Sequence, residues 1–141
     1  MFGRHLLGRA GAGPINQTRW RDGLRIIALD STVPGAGHGY LDAETLDYLR
    51  AEPETVAPDG TVVALHHPPI PSPVDPMTQL ALRNPDDLRD AIAGSDVRVV
   101  LCGHNHHPAL GTAGHVRSGF HRRIDLSDAA TTATVIPTEP A

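Results

Sequence analysis

Two short runs of histidine stand out: His66-His67-Pro68-Pro69 and Gly103-His104-Asn105-His106-His107. Neutral imidazole is a common ligand for Zn, Fe and Mn ions. His104 and His106 are two positions apart. On an extended segment such residues point to the same side, so two imidazoles can reach one metal or two adjacent ones. Gly103 ahead of them permits a tight turn or a close backbone approach. Pro68 and Pro69 stiffen the chain after His66 and lower the entropic cost of holding it in place. Either run alone is more often a solvated loop than a metal site. Their joint placement makes the metal reading comparable to the bland one.

That placement comes from the elements before them. Thr61–Leu65 (TVVAL) and Val97–Leu101 (VRVVL) are short apolar runs of the kind found in strands covered on both faces. Each ends where a histidine run begins, and proline after His67 stops the first ladder. Leu24–Leu29 reads as an earlier strand ending at Asp30. A helix is expected over Asp42–Arg50, with Leu41, Leu46 and Leu49 able to share a face and Glu44 in the first turn. A second helix is expected after Asn84-Pro85, with Asp86 and Asp87 in its first turn, Leu88 and Ile92 as an apolar pair, and Gly94 as the stop. Met1–Asp22 reads as an irregular or weakly helical lead-in without the apolar core of a signal peptide, and residues 70–77 as a proline-rich loop. The tail from Gly111 reads as less regular, with short strands over Arg122–Leu126 and Thr131–Ile136. Strand, helix, strand, helix, strand is an α/β order. In open α/β sheets, sites form beyond the carboxyl ends of strands. If the second and third strands are parallel neighbours, His66, His104 and His106 open on one edge.

Composition narrows the class. The chain has 141 residues, 40% hydrophobic and only 4% aromatic, so its packing rests on Leu, Val, Ile and Ala. A formal charge of −4 argues against a general binder of nucleic acid or of a membrane surface. No apolar run approaches the ~20 residues of a membrane-spanning helix. The one cysteine, Cys102, cannot form an intrachain disulfide, which fits a reducing cytoplasm; it is expected to be packed and without a redox role.

The stretch TVVALHHPPIP (61–71) followed by VRVVLCGHNHH (97–107) resembles the last two motifs of the calcineurin-like metallophosphoesterases, and the interval between them agrees. LRIIALDSTVPGAGHGYLDAETLDYL (24–49) resembles the preceding segment in the class III cyclic-nucleotide phosphodiesterases of bacteria, where a strand ending in LD leads through a GxL turn to a helix. The best match covers 24–107, and residues 1–141 are expected to form part of one such domain. The implied fold is the C-terminal half of a four-layer α/β/β/α sandwich. The implied cofactors are two divalent or Fe/Mn/Zn-type metal ions, with His66 and His104 on the second metal and His106 on the first. His67 and Asn105 would support the ligands or line the pocket, His107 would lie at its rim, and Asp75 in the 70–76 loop would either border the substrate or, more often for such a residue, be an ordinary solvated aspartate. The implied activity is metal-dependent hydrolysis of a phosphodiester, cAMP foremost. A phosphomonoesterase or nucleotidase of the same fold, and a non-catalytic remnant, are the alternatives. The expected partner is a small-molecule phosphodiester in the cytoplasm, with neither nucleic acid nor membrane, and a homodimer open as an assembly.

The family's DxH, GDxxD and GNH motifs do not occur in these 141 residues. Those motifs supply the bridging carboxylate, the other ligands of the first metal, the asparagine of the second and a histidine at the leaving group. Two divalent ions bring about four positive charges, which neutral imidazoles cannot offset. The chain by itself is therefore expected to be catalytically incomplete, and its sheet to have one apolar face uncovered.

Overall fold

The computed structural model describes residues 15–72, 75–104, 109–113, 116–120, 123–126 and 131–134. Beyond His104, and at Asp75 and Met77, the description is of the backbone path. Strands β1 (Gln17–Arg21), β2 (Leu24–Leu29), β3 (Thr61–Leu65), β4 (Val97–Leu101), β5 (Ala109–Ala113) and β6 (Val116–Phe120) form one mixed sheet in the order β1-β2-β3-β4-β6-β5. β2, β3, β4 and β6 run parallel, while β1 and β5 are antiparallel at the two edges. β7 (Arg123–Leu126) and β8 (Thr131–Thr134) make a separate antiparallel pair.

Helix α1 (Ala43–Ala51) joins β2 to β3, and α3 (Pro85–Ile92) joins β3 to β4; between β3 and α3 lies the single turn α2 (Asp75–Thr78). Crossovers between parallel strands are right-handed almost without exception, which puts successive helices on one face. The core shows this. Ile27, Val63 and Val100 are aligned across the three strands and pack in one cluster with Leu46 and Leu49 of α1 and Leu88 and Ile92 of α3. Most of these side chains are fully buried, each worth about 1.5–3 kcal/mol. On the other face Ala28, Ala64 and Leu101 align and are half-buried.

Local signals explain the helices. Asp42 caps α1 by accepting the Thr45 N–H at 2.8 Å. α3 starts on Pro85, but Asn84 does not cap it. Its amide instead exchanges two hydrogen bonds with the Leu41 backbone, stapling the start of α3 to the start of α1. Gly94, at φ +71°, closes α3.

Three features differ from the sequence reading. The lead-in contains β1, an edge strand of polar residues whose Asp22-Gly23 turn is a hairpin signal in its own right. β4 carries a bulge: Thr61 faces Val97 but Val62 faces Val99, so the extra residue lets Val97 and Val100 both reach the helix-covered core. The tail holds β5 and β6, and β6 extends the parallel sheet.

The amino ends of the central strands are tied by charge. Arg25, 1% exposed, donates to Asp96 at 2.7 Å, to Thr61 Oγ1 at 3.0 Å and to the Glu52 carbonyl. Asp96 also accepts the Ala57 N–H and the Thr61 hydroxyl, each at 2.7 Å. Cys102 is buried. Among the described residues no helix is long and apolar enough to cross a membrane.

Candidate metal centre

The parallel β3–β4 pairing brings two of the histidines together. Its ladder continues one rung past the strands, where the Gly103 N–H donates to the His66 carbonyl at 3.1 Å. His104 follows at φ +73°. This left-handed conformation is costly for a residue with a Cβ, and it persists where surrounding structure demands it. The sharp turn thus falls on His104, not on Gly103, and the backbone is not extended there. As a result His104 Nδ1 lies 2.7 Å from His66 Nε2, with ring centroids 4.6 Å apart.

One proton at most can sit between those two nitrogens. Whichever ring holds it, the far nitrogen of His104 must be satisfied elsewhere. That atom, Nε2, is buried and without a hydrogen-bond partner among the described residues. Leaving it so costs about 1–3 kcal/mol. The pair therefore has the geometry of an incomplete ligand set: two imidazole nitrogens that converge and a buried polar atom lacking its partner among the described residues.

His67 completes a triangle, its ring 4.9 Å from both others, and its nitrogens are near enough to theirs to be counted in a shared site. Its own bonding argues against a ligand role. Nδ1 is 2.8 Å from the Ser31 hydroxyl, and that hydroxyl also accepts the His67 backbone N–H at 3.4 Å. Burial, and then the neighbouring His66 and His104, push His67 down from 6.5 to about 4, against the opposing pull of the Gly37 carbonyl. It is neutral at physiological pH.

The roof of the site is the loop between β2 and α1. Tyr40 N–H donates to the Ser31 carbonyl at 3.0 Å, and Thr32 bridges to Gly39, closing the base of the loop. At its tip the Ala36 N–H donates to Val33 O across Pro34 and Gly35, with Gly35 at φ +75°, as a type II turn requires. Gly39 lies directly on the His67 ring, where a Cβ would overlap it. Between this roof and His66, His67 and His104 is a cavity of about 330 Å³, lined also by Thr32, Val33, Pro34, Ala36 and Gly37.

Asp30, which lines the adjoining pocket with His66 and Gly103, is already employed. Its Oδ1 accepts the Thr32 N–H and hydroxyl, and its Oδ2 accepts the Ile15 N–H. Burial pushes its carboxyl upward, but these hydrogen bonds outweigh it and the net shift is downward. It shapes the corner from which the roof departs. Asn105, His106 and His107 lie outside the described residues. Asp75 begins α2, and its side chain lies outside them too. Sequence reasoning missed Ser31 and Gly39; the small-residue run around His38 was the available signal.

No family model matches the chain. It is 46% identical over 99 residues to a probable cyclic nucleotide phosphodiesterase of Rhodococcus erythropolis, covering 70% of this chain and 33% of that one. A cAMP/cGMP dual specificity phosphodiesterase of Mycobacterium tuberculosis is equally similar, at 46% over 99 residues, with 70% and 31% covered. The 3',5'-cyclic adenosine monophosphate phosphodiesterase CpdA of Pseudomonas aeruginosa is 40% identical over 83 residues, with 58% and 30% covered. The chain spans about a third of the length of these relatives. Its mixed α/β sheet, with the histidine cluster at the strand ends, is consistent with part of a metallophosphoesterase-type domain similar to that of these bacterial cyclic-nucleotide phosphodiesterases.

Proposed function

We propose that these residues are part of a phosphodiesterase that hydrolyses 3',5'-cyclic nucleotides such as cAMP at a dinuclear metal site. The observation that carries this reading is the convergence of His66 and His104 at the ends of adjacent parallel strands, with the far nitrogen of His104 buried and lacking a partner. The similarity to enzymes named for cyclic nucleotides supports the substrate class.

Two bound ions of the Fe/Mn/Zn type would hold the phosphate, lower the pKa of a water and stabilise the charge of an in-line displacement. His66 and His104 would bind as neutral imidazoles, with His106 as the third histidine ligand. None of the three is a base in this scheme. His67, Asn105, His107 and Asp75 would support the ligands or border the substrate. Asp30 would stay with the loop corner, since both its oxygens are engaged. The offsetting carboxylates would come from sequence outside these 141 residues.

Calorimetric titration of the chain with Zn²⁺ or Mn²⁺ tests the site. Saturable binding that His104→Ala abolishes is expected; no saturable binding refutes the metal reading. Assays on bis(p-nitrophenyl) phosphate and cAMP test completeness. Little or no turnover by the 141 residues alone is expected. Metal-dependent turnover abolished by His104→Ala, with no partner protein, would show that local carboxylates suffice.

A further inference from the structure

Ser31 is 1% exposed, at the end of β2 and directly below the roof loop. Among the described residues its oxygen takes part in two hydrogen bonds, both with His67: the backbone N–H at 3.4 Å and ring Nδ1 at 2.8 Å. The backbone N–H can only donate, so the hydroxyl oxygen accepts there. The hydroxyl's own hydrogen then has one acceptor among the described residues, Nδ1. A buried hydroxyl that failed to donate would lose about 1–3 kcal/mol. Nδ1 therefore accepts, and the ring proton of neutral His67 sits on Nε2.

We propose that Ser31 is a positioning residue for the metal centre: its hydroxyl holds His67 in the Nε2–H tautomer, edge-on against His66 and beneath Gly39. This rests on the metal reading of His66 and His104. The His67 ring stands at 86° to His66 and 54° to His104, so it buttresses both. It also supports the roof at Gly39, where no Cβ fits. With Nδ1 occupied by Ser31 and Nε2 carrying a proton, His67 offers no lone pair to compete for the ion. Residues that orient ligands from behind commonly change metal affinity 10–100-fold when removed.

Two measurements on the full 141-residue chain test this. Imidazole ¹H–¹⁵N correlation spectra of the metal-free chain, with His67 identified by its loss in His67→Gln, read the tautomer directly. The Nε2–H form is expected in the parent and a mixture in Ser31→Ala. Titration with Zn²⁺ should show a 10–100-fold loss of affinity in Ser31→Ala, with Ser31→Thr, which keeps the hydroxyl, recovering most of it. An Nδ1–H tautomer in the parent, or an affinity in Ser31→Ala equal to or above the parent's, overturns the proposal. If the parent binds no Zn²⁺, the metal reading fails, and with it the link from Ser31 to the ligands, whatever the tautomer.

Discussion

Replacing Asp96 by Ala should cost a large share of the stability of the chain and leave its metal affinity intact. Asp96 is the sole acidic partner of Arg25 among the described residues, and the two side chains are 12% and 2% exposed. Removing the carboxylate leaves a buried guanidinium with only the Thr61 hydroxyl and the Glu52 carbonyl as acceptors. Breaking such a pair from one side costs about 3–5 kcal/mol. The Ala57 N–H loses its acceptor as well, adding about 1 kcal/mol. A total of about 4–6 kcal/mol is large against the 5–15 kcal/mol of a typical domain. Urea unfolding, followed through Trp20 whose ring lies 5.2 Å from the Arg25 guanidinium, should show the midpoint falling by about 2 M. The double variant Arg25→Met/Asp96→Ala should recover part of the loss, because no charge is then stranded. The network sits at the amino ends of strands whose carboxyl ends carry His66 and His104, and β3 alone is five residues long, about 16 Å. Zn²⁺ affinity of the folded variant should stay within twofold of the parent. A loss of stability below about 1 kcal/mol, or a double variant worse than the single, would refute the reasoning.

Because the pKa of His67 falls from 6.5 to about 4 on folding, the unfolded chain binds more protons between those values. Stability should be complete above pH 6.5 and decline as pH drops towards 4, by ~2 kcal/mol between pH 7 and 5 for the metal-free chain, a slope that His67→Gln should flatten in urea titrations at those two values. Gly39→Ala should destabilise by about 1–3 kcal/mol and weaken Zn²⁺ binding, since the new Cβ must displace either the roof or the His67 ring; unchanged calorimetric affinity would disprove the contact's role. Leu49→Ala, at a fully buried site between α1 and the sheet, should cost about 2–5 kcal/mol in urea without altering Zn²⁺ affinity. Cys102 is 8% exposed, so labelling by a thiol reagent should be slow in the folded chain, and rapid labelling would contradict its packed position.

Much of the frame was legible because its signals are local. Apolar runs marked β2, β3 and β4; the Asp42 cap and the Asn84-Pro85 start marked the two main helices; and Gly94 marked a stop. Parallel order then placed His66 and His104 at one sheet edge. What the sequence could not decide depends on partners far along the chain. β1 is polar, and only its ladder with β2 makes it a strand. Asn84 has the right identity for a cap, yet its amide oxygen accepts the Leu41 N–H instead of a backbone N–H of its own helix. The bulge in β4 inserts a residue that no pattern of one strand reveals. Ser31 and His67 are 36 residues apart and meet only because β2 and β3 are parallel neighbours. The left-handed turn at His104 goes against the intrinsic preference of histidine. Residue types and spacing determined which groups could bind a metal; the pairing of strands decided which of their nitrogens face each other, because hydrogen bonds across a sheet are made between residues that sequence proximity does not relate.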